Sequence, residues 1–231
     1  MKKLTLAICM VIASFSLVSA EMGFKIGVSA QVGSFETSAS ETNTADATTE
    51  KSKTQEALFG TAGFFAEQRL HFLPGPLSRL SVGYDNIIND MDLGTATNTR
   101  LSRTGNAAGT EDTVNTNHSV NAKIDGMTTM YATLTITDWL YLKAGQVDVD
   151  LTTAYKGTNT SSYPTSHTLD GSMFGAGVHL QNDNGIFFRL EVNDYDIDGK
   201  TVNNAGTDSD FQVKLNASEG TTGRMSIGKA F

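Results

Sequence analysis

Twelve charged side chains stand on the polar register of a chain that alternates apolar and polar residues. They are Lys25, Glu67, Arg69, Arg79, Asp85, Lys123, Asp125, Lys143, Arg189, Glu191, Lys214 and Arg224. Side chains alternate faces along a strand, so these groups face away from the apolar side of each strand. If the polar side lines an interior, its charges must be paired or wetted, because an isolated buried charge is costly. Two chemistries follow. One is a cross-braced set of ion pairs that fixes strand register. The other is a narrow polar conduit for small solutes, and eight basic against four acidic groups would make it favour anions. The braced plug is the preferred reading. Asp148 and Asp150 would offset the surplus if a bulge turned them inward.

Other residues offer less. Asp194, Asp196 and Asp198, followed by Gly199, resemble the start of a calcium loop, since oxygen ligands at alternating positions suit a hard cation. The closing Glu is missing, with Ala205 in its place. The same alternation is simply the polar face of a strand leaving a membrane, and that reading is preferred. His71, His118, His167 and His179 are the four histidines. His118 and His167 fall in polar stretches, His71 at a turn and His179 beside Gln181 on a polar register. No nucleophile, base and orienter stand together as hydrolysis would need. The expectation is no enzyme, no cofactor and no metal.

The elements that position these residues are strands. The residues from Phe211 to Phe231 alternate throughout, with Val213, Leu215, Met225, Ile227 and Phe231 on one side and Lys214, Arg224 and Ser226 on the other. A strand that long is unusual in a soluble sandwich. Seven more alternating stretches precede it, around 22–34, 57–70, 80–85, 120–136, 140–151, 174–181 and 186–193. In the fifth, Leu140, Leu142 and Ala144 share one parity and Val147, Val149 and Leu151 the other, so a β-bulge is expected at Gly145. Polar stretches at 36–55, 89–118, 154–168 and 198–209 have no apolar period and are expected to be mobile loops. Between them lie short turns at 73–76, 137–139 and 182–185. Long and short connections alternate strictly. That is the connectivity of an all-β, transmembrane, up-and-down antiparallel barrel of eight strands, with both termini at the short-turn end. Trp139 and Phe231 fall at that end, where interfacial anchoring explains them.

Composition agrees. Lys2 and Lys3, the apolar run after them and Val18-Ser19-Ala20 form a signal peptide over 1–20, leaving a barrel domain over 21–231. The only cysteine, Cys9, lies in that leader. Its removal takes the formal charge from −8 to −10. An acidic chain makes nucleic acid an unsuited partner. No stretch of about 20 apolar residues offers a helical span.

The leader, the eight amphipathic strands and the terminal Phe231 resemble the small eight-stranded outer-membrane β-barrel superfamily of Gram-negative bacteria, which includes the transmembrane domain of outer membrane protein A and the opacity-type "porin family" barrels. The likeness is one of pattern over the whole mature chain. Where that group has a hydrophobic residue two before the terminal aromatic, this chain has Lys229. The resemblance implies export through the periplasm to the outer membrane, insertion by the barrel assembly machinery, and a monomer in contact with outer-membrane lipids. The function expected is structural or surface-interacting, with a low-conductance porin for small polar solutes as the alternative.

Overall fold

The computed structural model describes residues 23–43, 48–105, 111–157, 163–205 and 211–231. The leader expected over 1–20, with Cys9, lies outside the described residues. The strands are β1 (Phe24–Asn43), β2 (Thr48–Arg69), β3 (Leu80–Ile87), β4 (Met91–Gly105), β5 (Glu111–Thr135), β6 (Leu140–Lys156), β7 (Ser166–Gln181), β8 (Ile186–Ile197), β9 (Lys200–Asn203), β10 (Phe211–Leu215) and β11 (Ser218–Ala230).

All pairings are antiparallel, and β11 pairs with β1 from Ala230↔Lys25 to Glu219↔Glu36. With β1–β2, β2–β3, β3–β5, β5–β6, β6–β7, β7–β8 and β8–β11, this closes a ring of eight staves. Closure leaves no free edge in the ring, which matters for strands that stand in lipid. Phe231 extends it by donating its amide to the Phe24 carbonyl (2.9 Å). Above the ring, β4 continues the β3 stave on β5, and β10 continues the β11 stave on β1. Two of the short turns are tight: the Thr137 amide donates to the Leu140 carbonyl (3.2 Å) and the Asn182 amide to the Ile186 carbonyl (3.0 Å). The turn expected at 73–76 is part of a longer connection that holds a short 3-10 helix, Gly75–Arg79, and is closed by the Leu70 amide donating to the Leu80 carbonyl (2.8 Å).

Three expectations change. The described parts of the stretches at 36–55 and 89–118 are mostly strand rather than loop, and β9 falls inside the stretch at 198–209. β1 and β2 stay paired to Asn43↔Thr48, and β4 and β5 to Gly105↔Glu111. Thr is a good strand former and needs no apolar face when both sides of a ladder are satisfied by hydrogen bonds. Second, β6 carries no bulge at Gly145. Its ladders to β5 and β7 run without a shift from Tyr141 to Asp150. The slip lies on β5 instead, between Ile124 and Gly126. Third, the last strand breaks at Asn216-Ala217. The Asn216 amide donates to the Ser38 carbonyl (2.9 Å) and its side-chain amide to Ser38 Oγ (2.8 Å), which holds the break closed. Parity shifts there, so Val213 and Leu215 turn inward while Met225 and Ile227 face out.

The outward face of the lower ring is apolar. Ile26, Val28, Val32, Phe64, Val82, Leu134, Leu142, Phe174, Leu180, Leu190, Val192, Met225 and Ile227 are all exposed. From Phe24 to Ser34 the strand covers about 33 Å, or about 25 Å along a barrel axis at the usual tilt, the height of an oily belt in a membrane barrel. Above the belt the outward positions turn polar: Gln146 and Asp150 on β6, Ser172 and Asp170 on β7, Asp194 and Asp196 on β8, Thr221 and Glu219 on β11.

Candidate functional site

The barrel interior is built in three tiers, each set by inward side chains. An eight-strand barrel is only wide enough for its side chains to fill or to hold one small ligand.

The lowest tier is charged. Glu67 on β2, 1% exposed, accepts a two-pronged bond from Arg189 on β8 at 2.8 and 2.9 Å. Lys25 on β1 adds a third bond at 3.2 Å. Planar guanidinium meets planar carboxylate here, the geometry that gives such pairs both strength and direction. A second set lies beside it. Lys143 is 3.4 Å from Glu191, Arg224 Nε is 3.3 Å from the same carboxylate, and Arg224 also binds Asp85. Lys143 reaches Asp85 at 4.0 Å. Aromatic rings complete the packing. Lys143 Nζ stands 4.1 Å from the centre of the Tyr131 ring, and Arg189 stacks against Tyr141 and Phe187 at 5.1 Å each. Such faces favour a cation and exclude water. Two inward glycines make room: a side chain at Gly83 would collide with the Tyr131 ring, and at Gly177 a Cβ would lie 2.6 Å from the Tyr141 hydroxyl.

Of the twelve charged residues singled out from sequence, the structure brings seven together: Lys25, Glu67, Asp85, Lys143, Arg189, Glu191 and Arg224. The other five stand elsewhere. Arg69 and Arg79 are exposed at the short-turn end, where they donate to the carbonyls of Ser78 and Ile136 (2.9 Å each). The slip on β5 turns Lys123 and Asp125 outward, and the break before β11 does the same to Lys214. Four cations against three anions remain in the tier, so the surplus that would have favoured anions is nearly gone. Asp150 faces out, because β6 keeps its parity. Trp139 and Phe231 lie at the short-turn end, 53% and 54% exposed, and Phe231 packs against Phe24 with ring centres 6.4 Å apart.

The middle tier is apolar. Phe35, Ile87, Met91, Ile124, Met127, Val147, Val149, Leu151, Leu169, Met173, Tyr195 and Ile197 form one buried cluster. Sequence reasoning missed it, because it assumed one facing for all apolar residues of a strand. The signal was present: Val147, Val149 and Leu151 share the parity of Tyr141 and Lys143, and Tyr195 and Ile197 that of Arg189 and Glu191. Asp194 and Asp196 are the outward partners of that last pair and are exposed. No group of three or more metal-ligating side chains occurs among the described residues.

The top tier is a cavity of about 230 Å³ directly above the cluster, sharing Leu151 and Leu169 with it. β1, β4, β5, β6, β7, β9 and β10 all contribute to its wall. At the opposite, short-turn end there is a recess of about 20 Å³ beside Lys25, Glu67 and Arg189.

His71 is exposed at the short-turn end, and the other three histidines are held by other groups. His118 pairs with Tyr155, His167 with the Pro164 carbonyl (3.0 Å), and His179 with Gln181 (3.1 Å) and Arg189 Nε (3.1 Å).

A closed antiparallel ring of eight staves, with an oily outer belt and a charged, filled interior, is a β-barrel that spans the bacterial outer membrane. Solved structures are similar to the chain. The outer membrane protease OmpT of Escherichia coli matches over 93% of this chain and 99% of its own, at 6% identity and a TM-score of 0.51. OprG from Pseudomonas aeruginosa matches over 92% of this chain and 98% of its own, at 8% identity and a TM-score of 0.46. Neisserial surface protein A matches over 92% and 100%, at 9% identity and a TM-score of 0.41. No family model matches the chain, and neither does any curated protein.

Proposed function

We propose that this protein is a non-conducting outer-membrane barrel that holds a surface-exposed upper barrel outside the cell, with no catalytic role. The observation that supports this is the filled interior. A braced charged tier lies under an apolar tier, with the buried amide of Asn193 and hydroxyl of Thr222 between them, and Phe187, Met127 and Val147 in these layers are each 1% exposed. An ion crossing the middle tier would shed most of its water against packed hydrocarbon, met only by scattered neutral groups such as Thr129 and Tyr195, at a cost of several kcal/mol. The upper staves turn Gln146, Asp150, Asp170, Asp194, Asp196 and Glu219 outward, a polar, acidic surface suited to interaction. In this reading the chain works as a monomer among outer-membrane lipids, and the assembly machinery reads its C-terminal strand.

Refolded protein in a planar bilayer tests the reading. The expected result is no steady current above the lipid background across a range of potentials. Reproducible unit steps of current, carried by a protein whose heat-modifiable migration shows it folded, would establish the low-conductance porin instead.

A further inference from the structure

The inner and outer faces of the barrel exchange character partway up. Within the belt, β6 shows Leu142 to the outside and Lys143 to the interior. Higher up, the same strand shows Gln146 and Asp150 outside and Val147, Val149 and Leu151 inside. β8 does the same, from Val192 outside and Glu191 inside to Asp196 outside and Ile197 inside. No change of register accompanies the exchange on β6, so the solvent has changed and not the strand. From Ser34 to Asn43, β1 rises about 30 Å along its own length beyond the belt. This upper part is therefore built like a water-soluble barrel: polar outside and oily within. A structural extension alone does not need an oily interior that it leaves unfilled.

It does leave space. The cavity of about 230 Å³ is walled by Leu93, Val120, Leu169, Val202, Val213 and Leu215 among others. Its charges come one of each sign, Glu41 and Lys200. Both are engaged: Tyr163 donates to Glu41 at 3.5 Å, and Lys200 donates to the Thr168 carbonyl at 3.2 Å. The two histidines in the wall are tied to Tyr155 and the Pro164 carbonyl. The floor is the apolar cluster. A mostly apolar, preformed hollow with a few fixed polar groups is the usual form of a small-molecule site.

We infer that the upper barrel is a receptacle for a neutral, apolar small molecule taken from outside the cell, with roughly ten to fifteen non-hydrogen atoms. Balanced charge sets the class: neither an anion nor a cation finds an uncompensated partner in the wall. The apolar floor and the charged tier beneath make the site a dead end in this conformation. The inference goes beyond the non-conducting reading and stands on the wall of the cavity alone, so a pore found in the bilayer experiment would leave it open to its own test.

That test uses the full mature chain refolded in lipid nanodiscs, with 1-naphthol as a neutral bicyclic probe and 1-naphthalenesulfonate as its anionic counterpart. Fluorescence titration against empty nanodiscs reads binding. The expected result is saturable 1-naphthol binding, with the sulfonate weaker by about tenfold or more, equivalent to about 1.4 kcal/mol. Two variants probe the wall: Ala122→Phe fills the space without adding charge, and Val202→Asp adds a charge on the short β9. Both should retain heat-modifiable migration, and each should weaken 1-naphthol about tenfold or more. Should one fail to fold, the other carries the comparison, and the contrast between the two probes on the unaltered chain remains. No saturable signal above empty nanodiscs, equal affinity for the sulfonate, or a folded variant with unchanged binding would each overturn the inference.

Discussion

Replacing Glu67 by Gln should be the most damaging isosteric change in the interior. The side chain keeps its shape and loses its charge. Glu67 holds two cations, Arg189 through two bonds of 2.8 and 2.9 Å and Lys25 through one of 3.2 Å. It is 1% exposed, so water cannot take over. The tier would then hold four cations against two anions. Breaking a buried pair by removing one partner costs about 3–5 kcal/mol, mostly from the charge left behind. Lys25→Met is the internal comparison. The Lys25 side chain is 17% exposed and contributes a single bond, so its loss should cost about 1 kcal/mol or less. Arg189→Met combined with Glu67→Gln should cost less than the two single changes added together, because the pair is removed as a unit. Guanidinium titration of protein in lipid vesicles reads the unaltered chain and all four variants. Trp139, the only tryptophan, reports unfolding from the short-turn rim. The destabilisation should persist in molar salt, since buried pairs are screened far less than exposed ones. A Glu67→Gln midpoint no lower than that of Lys25→Met would refute the reasoning and show that water reaches this tier.

Gly83→Val should destabilise by about 1–3 kcal/mol although valine favours strands, because the Tyr131 ring lies where the new side chain must go; the same titration checks it. Asn89→Ala should speed hydrogen exchange at the Ala62 amide, which now donates to Asn89 Oδ1 at 2.6 Å, while amides low on β2 stay protected. Deleting Phe231 should reduce assembly in cells more than refolding in detergent, since the residue is exposed at the rim and adds one ladder bond to Phe24; equal loss in both assays would assign it a folding role alone.

The alternation of residues told where strands run and that they close. It also told which charges lie low in the interior, because Glu67, Asp85, Lys143, Arg189 and Glu191 sit on stretches whose parity never slips, and Arg224 lies wholly past the one break in its stretch. Two kinds of feature were not legible. One is a slip of a single residue. Val120 to Leu134 on β5 looks like unbroken alternation, yet the shift at Asp125 sends Lys123 outward and Ile124 inward. A period-two pattern cannot tell a slip from continuity when apolar residues fall on both sides of it. The other is pairing between polar stretches. The residues at 36–55 carry no apolar period, and their strands exist because each continues a ladder that the belt below has already begun. That is a tertiary cause, invisible to a window of local sequence.

The same missed feature links the fold to its use. A β-bulge was expected at Gly145 because an apolar face was assumed to mean a lipid face. In this chain an apolar face means whichever side is away from the local solvent. In the belt the outside is lipid, so Leu142 and Val192 face out and the interior can hold charge. Above the belt the outside is water, so Asp150 and Asp196 face out and the interior must hold hydrocarbon. One uninterrupted strand therefore carries both arrangements, and the exchange point marks the outer membrane surface. At that point the interior passes from the charged tier to the apolar one. The two fill the cylinder by different means: ion pairs that fix register below, and close apolar packing above. Only over the second does space remain, because the staves run on past the last layer of large side chains, from Leu151 and Leu169 to Val202 and Val213. The cavity is thus a consequence of staves longer than the membrane requires, and its oily wall follows from the water outside them.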